Sequence, residues 1–291
     1  MPDTVSVEVK PLVGGSSALV ARLVLTAPSG AQRQVVFRQH TDRAMKEHTG
    51  FVAAKEYHLT RDLALQGLEV PRSLALHPDR TSDGPWLVTE WVEGSTAVDD
   101  ADVDSALFQM ADFLARLHDV DANSINAPGL VRIEDPTKAL PKYLSDDETG
   151  SVLRRALDCG VQRRPNADVL IHGDFWPGNV MFDQSRLVAV LDWEDAKWGD
   201  PLVDLACARV ELTCVYGPDA SERFTAHYLK MSRHRTGRLL DHDLALWDVY
   251  VSATALSTMH LWGLPSRDEA ARRAATKRFL DSATNRLIEA I

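Results

Sequence analysis

Cysteine is scarce in this chain of 291 residues, and long apolar runs are missing from it. The three cysteines, Cys159, Cys207 and Cys214, are odd in number and lack CxxC spacing, which argues against a disulfide framework and a cysteine-ligated zinc site. No stretch approaches the roughly eighteen apolar residues of a membrane span, and the amino terminus lacks a basic start followed by an apolar run. We therefore expect reduced thiols, no membrane span and no signal peptide, with the cytoplasm as the default location.

Basic residues are also in deficit. The chain has 32 Lys and Arg against 42 Asp and Glu, which gives a formal net charge of -10. Because the phosphates of nucleic acids require a basic surface, this balance argues against a nucleic acid partner. The share of hydrophobic residues, 45%, and of charged residues, 25%, is ordinary for a globular protein with a substantial core.

The segment from Leu170 to Asp204 carries three polar residues in an order that is typical of phosphoryl transfer. Asp174 follows a strand-like run, Asn179 comes five residues later, and Asp192 ends a second apolar run thirteen residues after that. Phosphoryl transfer needs a carboxylate that orients the attacking hydroxyl and accepts its proton, and it needs amide and carboxylate oxygens that hold magnesium. Protein kinases present Asp, Asn and a metal-binding Asp in this same order.

The local geometry agrees with this interpretation. A Pro-Gly pair between Asp174 and Asn179 allows the loop to curl around one phosphoryl group, and a hairpin with its turn at 183–185 is expected to return Asp192 beside Asn179. Taken singly, an HGD sequence is more often a loop histidine with a capping aspartate, so the spacing carries the prediction. We expect His172 to bond the loop backbone rather than to act in the chemistry.

At this point the chain resembles the aminoglycoside phosphotransferase and choline kinase-like small-molecule kinases, which share a two-lobed fold with protein kinases. Three motifs carry the resemblance: HGDFWPGN at 172–179, LDW at 191–193 and GDPLVDLA at 199–206. The resemblance implies that Asp174 is the catalytic base and that Asn179 and Asp192 bind Mg²⁺. It also implies that Asp200 and Asp204 brace the catalytic loop, with direct substrate contact as the alternative for these two.

The first ninety residues predict a nucleotide-binding lobe. Alternating apolar residues indicate strands at 5–9 and 19–25, and the turn between them includes Gly15, Ser16 and Ser17. Backbone amides in such a turn can approach phosphates without obstruction by side chains. We therefore assign these three residues to nucleotide binding, with an ordinary hairpin turn as the alternative. The resembling family usually has an asparagine just after this turn, where Ala18 stands here.

A third strand, at 34–39, carries Arg38 where the resembling family places a lysine or arginine against the nucleotide phosphates. In the helix predicted over 50–66, Glu56 shares a face with three apolar residues. A carboxylate on an inward face is costly unless it meets a cation. We therefore predict an ion pair between Arg38 and Glu56, like the strand-lysine to helix-glutamate pair of kinases. In the alternative, Glu56 lies at the rim of an amphipathic helix.

The segment at 85–94 has the β-branched and aromatic content of a strand and ends in glycine, which indicates the hinge between the lobes. In the resembling family the backbone of this hinge binds the adenine, which implies Glu90 and Val92. Beyond it, an amphipathic helix is predicted at 104–118, and His118 at its end is interpreted as a packed or capping residue. The loop at 120–138 is either a flap or a simple connection.

The remainder of the chain is predicted to be helical, in runs near 202–215, 219–235, 241–262 and 266–290. The later helical runs carry aromatic residues, and aromatic residues at helical spacing belong to the core more often than to a substrate-binding surface. The residues in question are Trp247, Tyr250, His260 and Trp262.

Together these features predict an α+β, two-lobed protein-kinase-like fold. Residues 1–94 form a small, mainly antiparallel β nucleotide lobe with the hinge, and residues 95–291 form a larger, mostly helical lobe with the catalytic loop and acceptor site. The predicted enzyme moves the γ-phosphoryl group of ATP or GTP, with Mg²⁺, to a hydroxyl of a small molecule such as an aminoglycoside-type antibiotic. Only seven residues separate Asp192 from Asp200, which leaves no room for the activation loop of a protein kinase.

Two alternatives stay open. A metabolite kinase acting on choline, a sugar or an amino alcohol is the nearer one, and a nucleotide-binding pseudokinase or scaffold is the more distant. The charge pattern bears on the acceptor, because Glu194 and Asp195 follow the proposed metal ligand and Asp200 comes soon after. These carboxylates predict an anionic pocket mouth that attracts an amine, with plain surface charge as the alternative.

Overall fold

The structure is a computed structural model that describes residues 5–12, 18–40, 52–77, 84–158, 166–232 and 241–289. The described residues form two compact units. The first contains those up to Ser95 together with 121–130 and 181–194, and the second contains 96–120, 131–180 and those from Asp195 onward. The predicted turn residues Gly15, Ser16 and Ser17 lie outside the described residues, as does Cys159.

Strands and helices both occur, as the predicted α+β class requires. The strands of the described residues are β1 (Ser6–Pro11), β2 (Ala18–Thr26), β3 (Gln32–His40), β4 (Ser73–His77), β5 (Trp86–Glu90), β6 (Val169–Ile171), β7 (Val180–Asp183), β8 (Arg186–Val190) and β9 (Lys197–Gly199). The helices are α1 (Val52–Leu65), α2 (Val103–His118), α3 (Pro136–Ala139), α4 (Glu148–Asp158), α5 (Leu202–Tyr216), α6 (Pro218–Met231), α7 (Asp241–Thr258) and α8 (Ser266–Glu289). No helix in the described ranges is long and apolar enough to cross a membrane.

The first unit is built on a five-stranded sheet in the order β1-β2-β3-β5-β4, with every neighbouring pair antiparallel. The long register of β2 with β3, from Ala18 opposite His40 to Thr26 opposite Gln32, places alternate side chains on one face. Leu25, Val35 and Val88 form the apolar core of that sheet. The mainly antiparallel lobe is therefore as predicted, whereas β4 was not predicted.

Helix α1 buries the face that its periodicity predicts. Val52, Leu59 and Leu63 are buried, and Glu56 lies buried on the same stripe. Asp62, also buried, accepts a hydrogen bond of 2.8 Å from the backbone amide of Asn126. Because of this bond and its grouping with the first unit, the segment 121–130 is a connection held against α1 rather than a free flap.

The second unit is mostly helical. The predicted stripe of α2 forms core, and Leu107, Met110 and Leu114 are at most 2% exposed. Helices α7 and α8 pack through a second apolar cluster that includes Leu246, Val249 and others. The short strands β6 and β9 pair antiparallel, with Leu170 opposite Trp198.

The aromatic residues of the C-terminal helices fall into two groups. Trp247 is fully buried, as predicted for a core residue. Trp262 is 38% exposed and His260 is exposed, because both follow the end of α7 in a turn where the helical stripe no longer continues. The prediction of core was therefore wrong for these two.

Candidate active site

The loop that carries Asp174 is anchored by a buried carboxylate in the second unit. Asp204, in the first turn of α5, accepts the backbone amide of His172 at 2.7 Å and that of Gly173 at 2.8 Å. Gly173 has φ +86°, and a Cβ there would lie 2.3 Å from the carbonyl oxygen of Asp195. Glycine is therefore required at this position, and the bracing role predicted for Asp204 is present in the structure.

Asp174 and Asn179 are brought together by the 3₁₀ turn Pro177–Asn179. The Asn179 amide nitrogen donates to the Asp174 carbonyl oxygen at 2.9 Å and to its Oδ2 at 3.0 Å. Both donors of this amide point at Asp174, so the Asn179 Oδ1 is the atom that remains as an acceptor or metal ligand. His172 Nδ1 accepts the Asp174 backbone amide at 3.3 Å, which is the backbone role predicted for this histidine.

Asp204 is itself held in a buried polar chain. His118 Nε2 lies 3.2 Å from Asp204 Oδ2, and His118 Nδ1 lies 2.7 Å from the Tyr228 hydroxyl. Burial alone would raise the pKa of Asp204, but the hydrogen bond and charge of His118, with the Gly173 amide, lower it overall. His118 is thus a packed residue, as predicted, and it holds Asp204 as the acceptor that the catalytic loop needs.

Asp200 bonds to the chain on both sides of the catalytic loop. Its Oδ1 accepts the Asn166 amide side chain and the backbone amide of Leu202, each at 3.0 Å. It therefore fixes the start of α5 and the segment before β6. Because the catalytic loop begins directly after β6, at His172, these bonds support that loop through the strand.

In the first unit, Arg38 is the centre of a cluster of carboxylates. Its Nη1 donates to Glu56 Oε1 at 3.0 Å, and its Nη2 donates to Asp192 Oδ1 at 2.7 Å and to Glu194 Oε2 at 2.9 Å. Lys55 adds a second cation, because its ammonium donates to the carbonyl oxygen of Glu194. The contact predicted between Arg38 and Glu56 is present, and we call these five residues the Arg38 cluster.

The Arg38 cluster is short of positive charge. Two cations and three carboxylates give it a formal charge of -1, and the Arg38 side chain is only 13% exposed. Burial raises the pKa of Glu56 to about 7, although Arg38 acts in the opposite direction. Burial would lower the pKa of Arg38, but the carboxylates outweigh it and raise that pKa above its usual range. A further cation would relieve the crowding of carboxylates.

Asp192 occupies an unusual backbone position. It lies just beyond β8, and its φ is +66°, in the left-handed region that non-glycine residues rarely adopt. The preceding hairpin of β7 and β8 turns through Gln184 and Ser185, with φ values of 46° and 63°, as two-residue hairpin turns require. The predicted hairpin is therefore present, and the strained backbone at Asp192 is the kind that clusters at functional sites.

The predicted anionic mouth is not supported. Glu194 points at Arg38 rather than outward, and Asp200 is 2% exposed and bonded to its own unit. Asp195 lies 3.9 Å from the ammonium of Lys197. Each of these carboxylates has a protein partner because the local folding of the segment turns it toward a cation or an amide. The prediction was wrong in treating sequence neighbours as one outward-facing surface.

The two residues predicted for the hinge lie at the end of β5 and just beyond it. Glu90 ends β5 opposite Val35, its amide donates to the Arg72 carbonyl oxygen at 3.0 Å, and its carboxylate binds the Arg72 side chain at 2.9 Å. Val92 lies two residues beyond the strand end. A role for their backbone in adenine binding stays a prediction.

Several functional contacts were missed from the sequence. Lys55 lies on the same buried stripe of α1 as Val52 and Leu59, a spacing that could have identified it. The pairing of Arg38 with Asp192 and Glu194 joins residues more than 150 positions apart. No local pattern signals such a pair.

The donor groups suit a magnesium ion that arrives with a nucleotide. Mg²⁺ prefers oxygen ligands and is usually held by one or two protein groups together with substrate phosphates. The Asn179 Oδ1, in the second unit, and the Asp192 carboxylate, in the first, are oxygen donors of this type, and their role as metal ligands stays a prediction. Across the described ranges, no group of three or more His, Cys, Asp or Glu side chains forms a metal cage.

The fold and these motifs define a kinase-like phosphotransferase. The family described as "Phosphotransferase enzyme family" matches residues 8–241, and the chain belongs to this family. The structure is similar to an amicoumacin kinase in complex with AMP-PNP, Ca²⁺ and Ami, with a TM-score of 0.64 and 18% identity over 94% of this chain and 88% of that one. It is also similar to the GDP complex of aminoglycoside 2'-phosphotransferase-IIIa, with a TM-score of 0.65 and 19% identity over 98% and 95% of the two chains. The predicted kinase-like fold is thereby confirmed.

A relative by sequence is acyl-CoA dehydrogenase family member 11 of Gallus gallus, which is 30% identical over 172 residues. The match covers 53% of this chain and 22% of that relative. The chain therefore spans about a fifth of that relative's length, and the similarity concerns a part of the larger protein.

Proposed function

We propose that this chain transfers the γ-phosphoryl group of ATP or GTP to a hydroxyl of a small molecule, with Asp174 as the catalytic base. The acceptor oxygen forms a bond to the γ-phosphorus while the bond to the β–γ bridging oxygen breaks. The hydroxyl proton passes to Asp174, and the nucleoside diphosphate leaves. The remaining residues of the family motifs are given roles in binding the metal ion and the nucleotide.

The observation that carries the proposal is the arrangement of Asp174, Asn179 and Asp204. Asn179 fixes the Asp174 carboxylate at 3.0 Å, and Asp204 fixes the two preceding peptide groups. A carboxylate held in one orientation by a braced loop suits a general base, because proton acceptance depends on position before strength. Plain loop stabilisation would not require the Asp174 carboxylate to be oriented.

Asn179 and Asp192 are the proposed magnesium ligands. Magnesium, when bound, neutralises the phosphate oxygens and links them to the protein. Adding its charge to the Arg38 cluster, now at -1, would convert a site that repels phosphate into one that attracts it. The left-handed backbone of Asp192 supports a functional role for its position.

The nucleotide is assigned to the first unit. Arg38 faces the phosphates and Glu56 orients it, through the 3.0 Å ion pair. Gly15, Ser16 and Ser17 supply amides to the phosphates, and the backbone of Glu90 and Val92 binds the base. An arginine in place of the usual lysine keeps the charge and adds donors, so one guanidinium can serve the phosphates and the carboxylates together.

The names of the similar structures support an antibiotic acceptor, and those proteins are named as an amicoumacin kinase and an aminoglycoside phosphotransferase. A metabolite alcohol is the alternative acceptor. A nucleotide-binding pseudokinase is the alternative of a different class, and the intact set of Asp174, Asn179 and Asp192 argues against it.

The test is an assay of nucleoside diphosphate release with ATP or GTP and Mg²⁺, against aminoglycosides, macrolides and metabolite alcohols. The Asp174→Asn variant should bind AMP-PNP normally and lose at least about a hundredfold in turnover, because a positioned base contributes about 10² to 10⁴. Exposed Asp219 provides a matched control, since Asp219→Asn should keep full turnover. Undiminished turnover in Asp174→Asn would remove Asp174 as the base, and nucleotide binding without any transfer across the panel would favour the pseudokinase.

A further inference from the structure

A stacked arginine lies beside the catalytic loop of the second unit. The guanidinium carbon of Arg272, on α8, is 5.4 Å from the ring centroid of Trp176 and 6.0 Å from that of Trp262. Its Nη1 donates to Glu211 on α5. The three elements α5, α8 and the catalytic loop thus meet at one guanidinium, and we call these four residues the Arg272 site.

The Arg272 site includes a residue of the loop that carries the proposed base. Trp176 lies two residues after Asp174, and its indole covers Gly178 so closely that a Cβ there would be 2.2 Å from the ring. On α5, the Cys207 thiol lies 3.9 Å from the Gly173 carbonyl oxygen, and Glu211 follows one helical turn later. Burial raises the pKa of Cys207, and the nearby Asp204, Asp174 and Glu211 carboxylates act in the same direction.

Helix α5 opens to solvent along this side. From Leu202 to Leu212 every residue is buried except Cys207 and Glu211, which are one turn apart and therefore share a face. Cys207 places this strip next to the loop that carries Asp174, through its contact with Gly173. An acceptor held at Asp174 would meet the second unit along this strip.

The chemistry of the Arg272 site suits an anion. Indole rings cover the guanidinium, and among the described residues Glu211 is the one hydrogen-bond partner of its five N–H donors. The donors that remain form a planar edge that matches a carboxylate or phosphate. Trp262, which stacks on Arg272, is 38% exposed, and its chain neighbour Leu261 is 43% exposed, so both offer apolar surface.

Among the acceptors open to the proposed function, a polycationic one such as an aminoglycoside gains little from this region. Glu211 is committed to Arg272, and Asp204 is buried against the loop amides. Asp200 is buried against Asn166 and Leu202. An amine that took Glu211, Asp204 or Asp200 as its partner would have to break these pairs, and each broken pair leaves a buried group unsatisfied.

We propose that Arg272 recognises an anionic oxygen group of the acceptor, of the carboxylate or phosphate kind, and that Trp262 and Leu261 contact an apolar part next to it. This inference rests on the proposed function, because it names the acceptor class of that same site. Glu211 then acts as an internal competitor that holds Arg272 in place until the acceptor arrives.

The experiment measures calorimetric binding of four probes to the full chain, with and without AMP-PNP and Mg²⁺. The probes are 3-hydroxy-4-phenylbutanoate, its neutral amide, 2-phenylethyl phosphate and kanamycin. The acid and amide share one hydroxyl and one ring, so their difference isolates the anionic group, and the phosphate ester shows which anion is preferred. Thermal unfolding of each variant checks that the fold is retained.

We expect an anionic probe to bind at least tenfold more tightly than the amide. Arg272→Met should abolish that preference, and Arg272→Lys should restore part of it, because the charge returns without the planar fork. Glu211→Gln should tighten binding of the anionic probe, since the competitor is removed. The exposed Arg267, in the first turn of α8, gives the control Arg267→Met, which should leave binding unchanged.

Equal binding of acid and amide, no binding of any anionic probe, or tighter binding of kanamycin that Glu211→Gln weakens would each overturn the proposal. Failure of the proposed function is seen separately, as a lack of AMP-PNP binding or of phosphoryl transfer. The preference for an anionic probe is measured without nucleotide as well, so the two failures are distinguishable.

Discussion

The two charged clusters of this chain differ in how completely their groups are satisfied. Around Asp204, one carboxylate meets two backbone amides and a histidine, which in turn meets Tyr228. Around Arg38, one guanidinium serves three carboxylates, and burial pushes the pKa of Glu56 up to about 7. The Asp204 carboxylate has its hydrogen-bond partners within the protein and needs no ligand. The Arg38 cluster has one more carboxylate than cations, so an added positive charge would stabilise it.

This difference matches the different demands on the residue that orients the acceptor hydroxyl and on the residues that bind the nucleotide. The group that orients the acceptor hydroxyl must already be in place, because a general base works through its position. The group that receives the nucleotide has an excess of negative charge, which a metal ion that arrives with the phosphates would relieve. The proposed roles of Asp174 and Asp192 follow that division.

The largest expected effect comes from breaking the complete cluster. Asp204→Asn keeps one acceptor oxygen but turns an NH2 group toward either the His172 or the Gly173 amide. It should therefore lower the free energy of unfolding by about 3 kcal/mol, within the range for buried polar groups that lose their partners. Urea unfolding at neutral pH measures the loss. Exposed Asp219→Asn should change stability by only a few tenths of a kcal/mol, as a first-turn helix charge does. Equal stability of the two variants would contradict the bracing role of Asp204.

A smaller effect is expected from uncoupling the crowded cluster. Residues in contact usually show coupling of about 0.5 to 3 kcal/mol beyond additivity. A double-mutant cycle with Arg38→Met and Glu56→Gln, measured by denaturant unfolding, should therefore give a coupling in that range. A cycle of Arg72→Met and Glu90→Gln provides an exposed pair at 2.9 Å for comparison, and its coupling should be smaller because solvent screens it. Strict additivity for Arg38 and Glu56 would show that their ion pair has no energetic weight.

The effect that is smallest for each experimental step concerns pH. The folded state raises the pKa of Glu56 from 4.5 to about 7, so the folded chain binds this proton more tightly than the unfolded chain. The resulting stability is fully present below about pH 4.5 and is lost as the pH rises to 7. Relative to Glu56→Gln, the wild type should lose up to about 1 kcal/mol per pH unit across this window. Unfolding titrations at pH 5, 6, 7 and 8 test this, and a constant difference between the two proteins would refute it.

Local patterns predicted the parts of the fold that rest on periodicity. Strands β1, β2, β3 and β5, the buried face of α1 and the β7–β8 hairpin follow from alternation or helical spacing. Strand β4 reads SLALH, which lacks β-branched residues, and β9 has only three residues and ends in glycine. Strand β4 is stabilised by its pairing with β5, and β9 by its pairing with β6. The intrinsic strand propensity of their residues would not predict either one.

The candidate site divides in the same way. Asp174, Asn179 and Asp192 were identified because a motif fixes their spacing, and Glu56 was identified because a buried carboxylate needs a cation. The contacts of Glu194 and Arg272 depend on residues far away in the chain. The partner of a charged side chain such as Glu194 is determined by the tertiary structure. For this reason the sequence predicted an anionic pocket mouth, whereas the structure has ion pairs there.

The most direct test of the account is the magnesium dependence of nucleotide binding in Asp192→Asn. With saturating Mg²⁺, calorimetry should show the AMP-PNP Kd raised at least tenfold, about 1.4 kcal/mol, because a metal ligand is lost. Without Mg²⁺ the same variant should bind AMP-PNP as well as the wild type or better, since one carboxylate has left a cluster that repels phosphate. Asp183→Asn, at the exposed end of β7, should behave as the wild type in both conditions. An unchanged Kd of Asp192→Asn in the presence of Mg²⁺ would contradict the assignment of Asp192 to the metal and, with it, the role given to the Arg38 cluster.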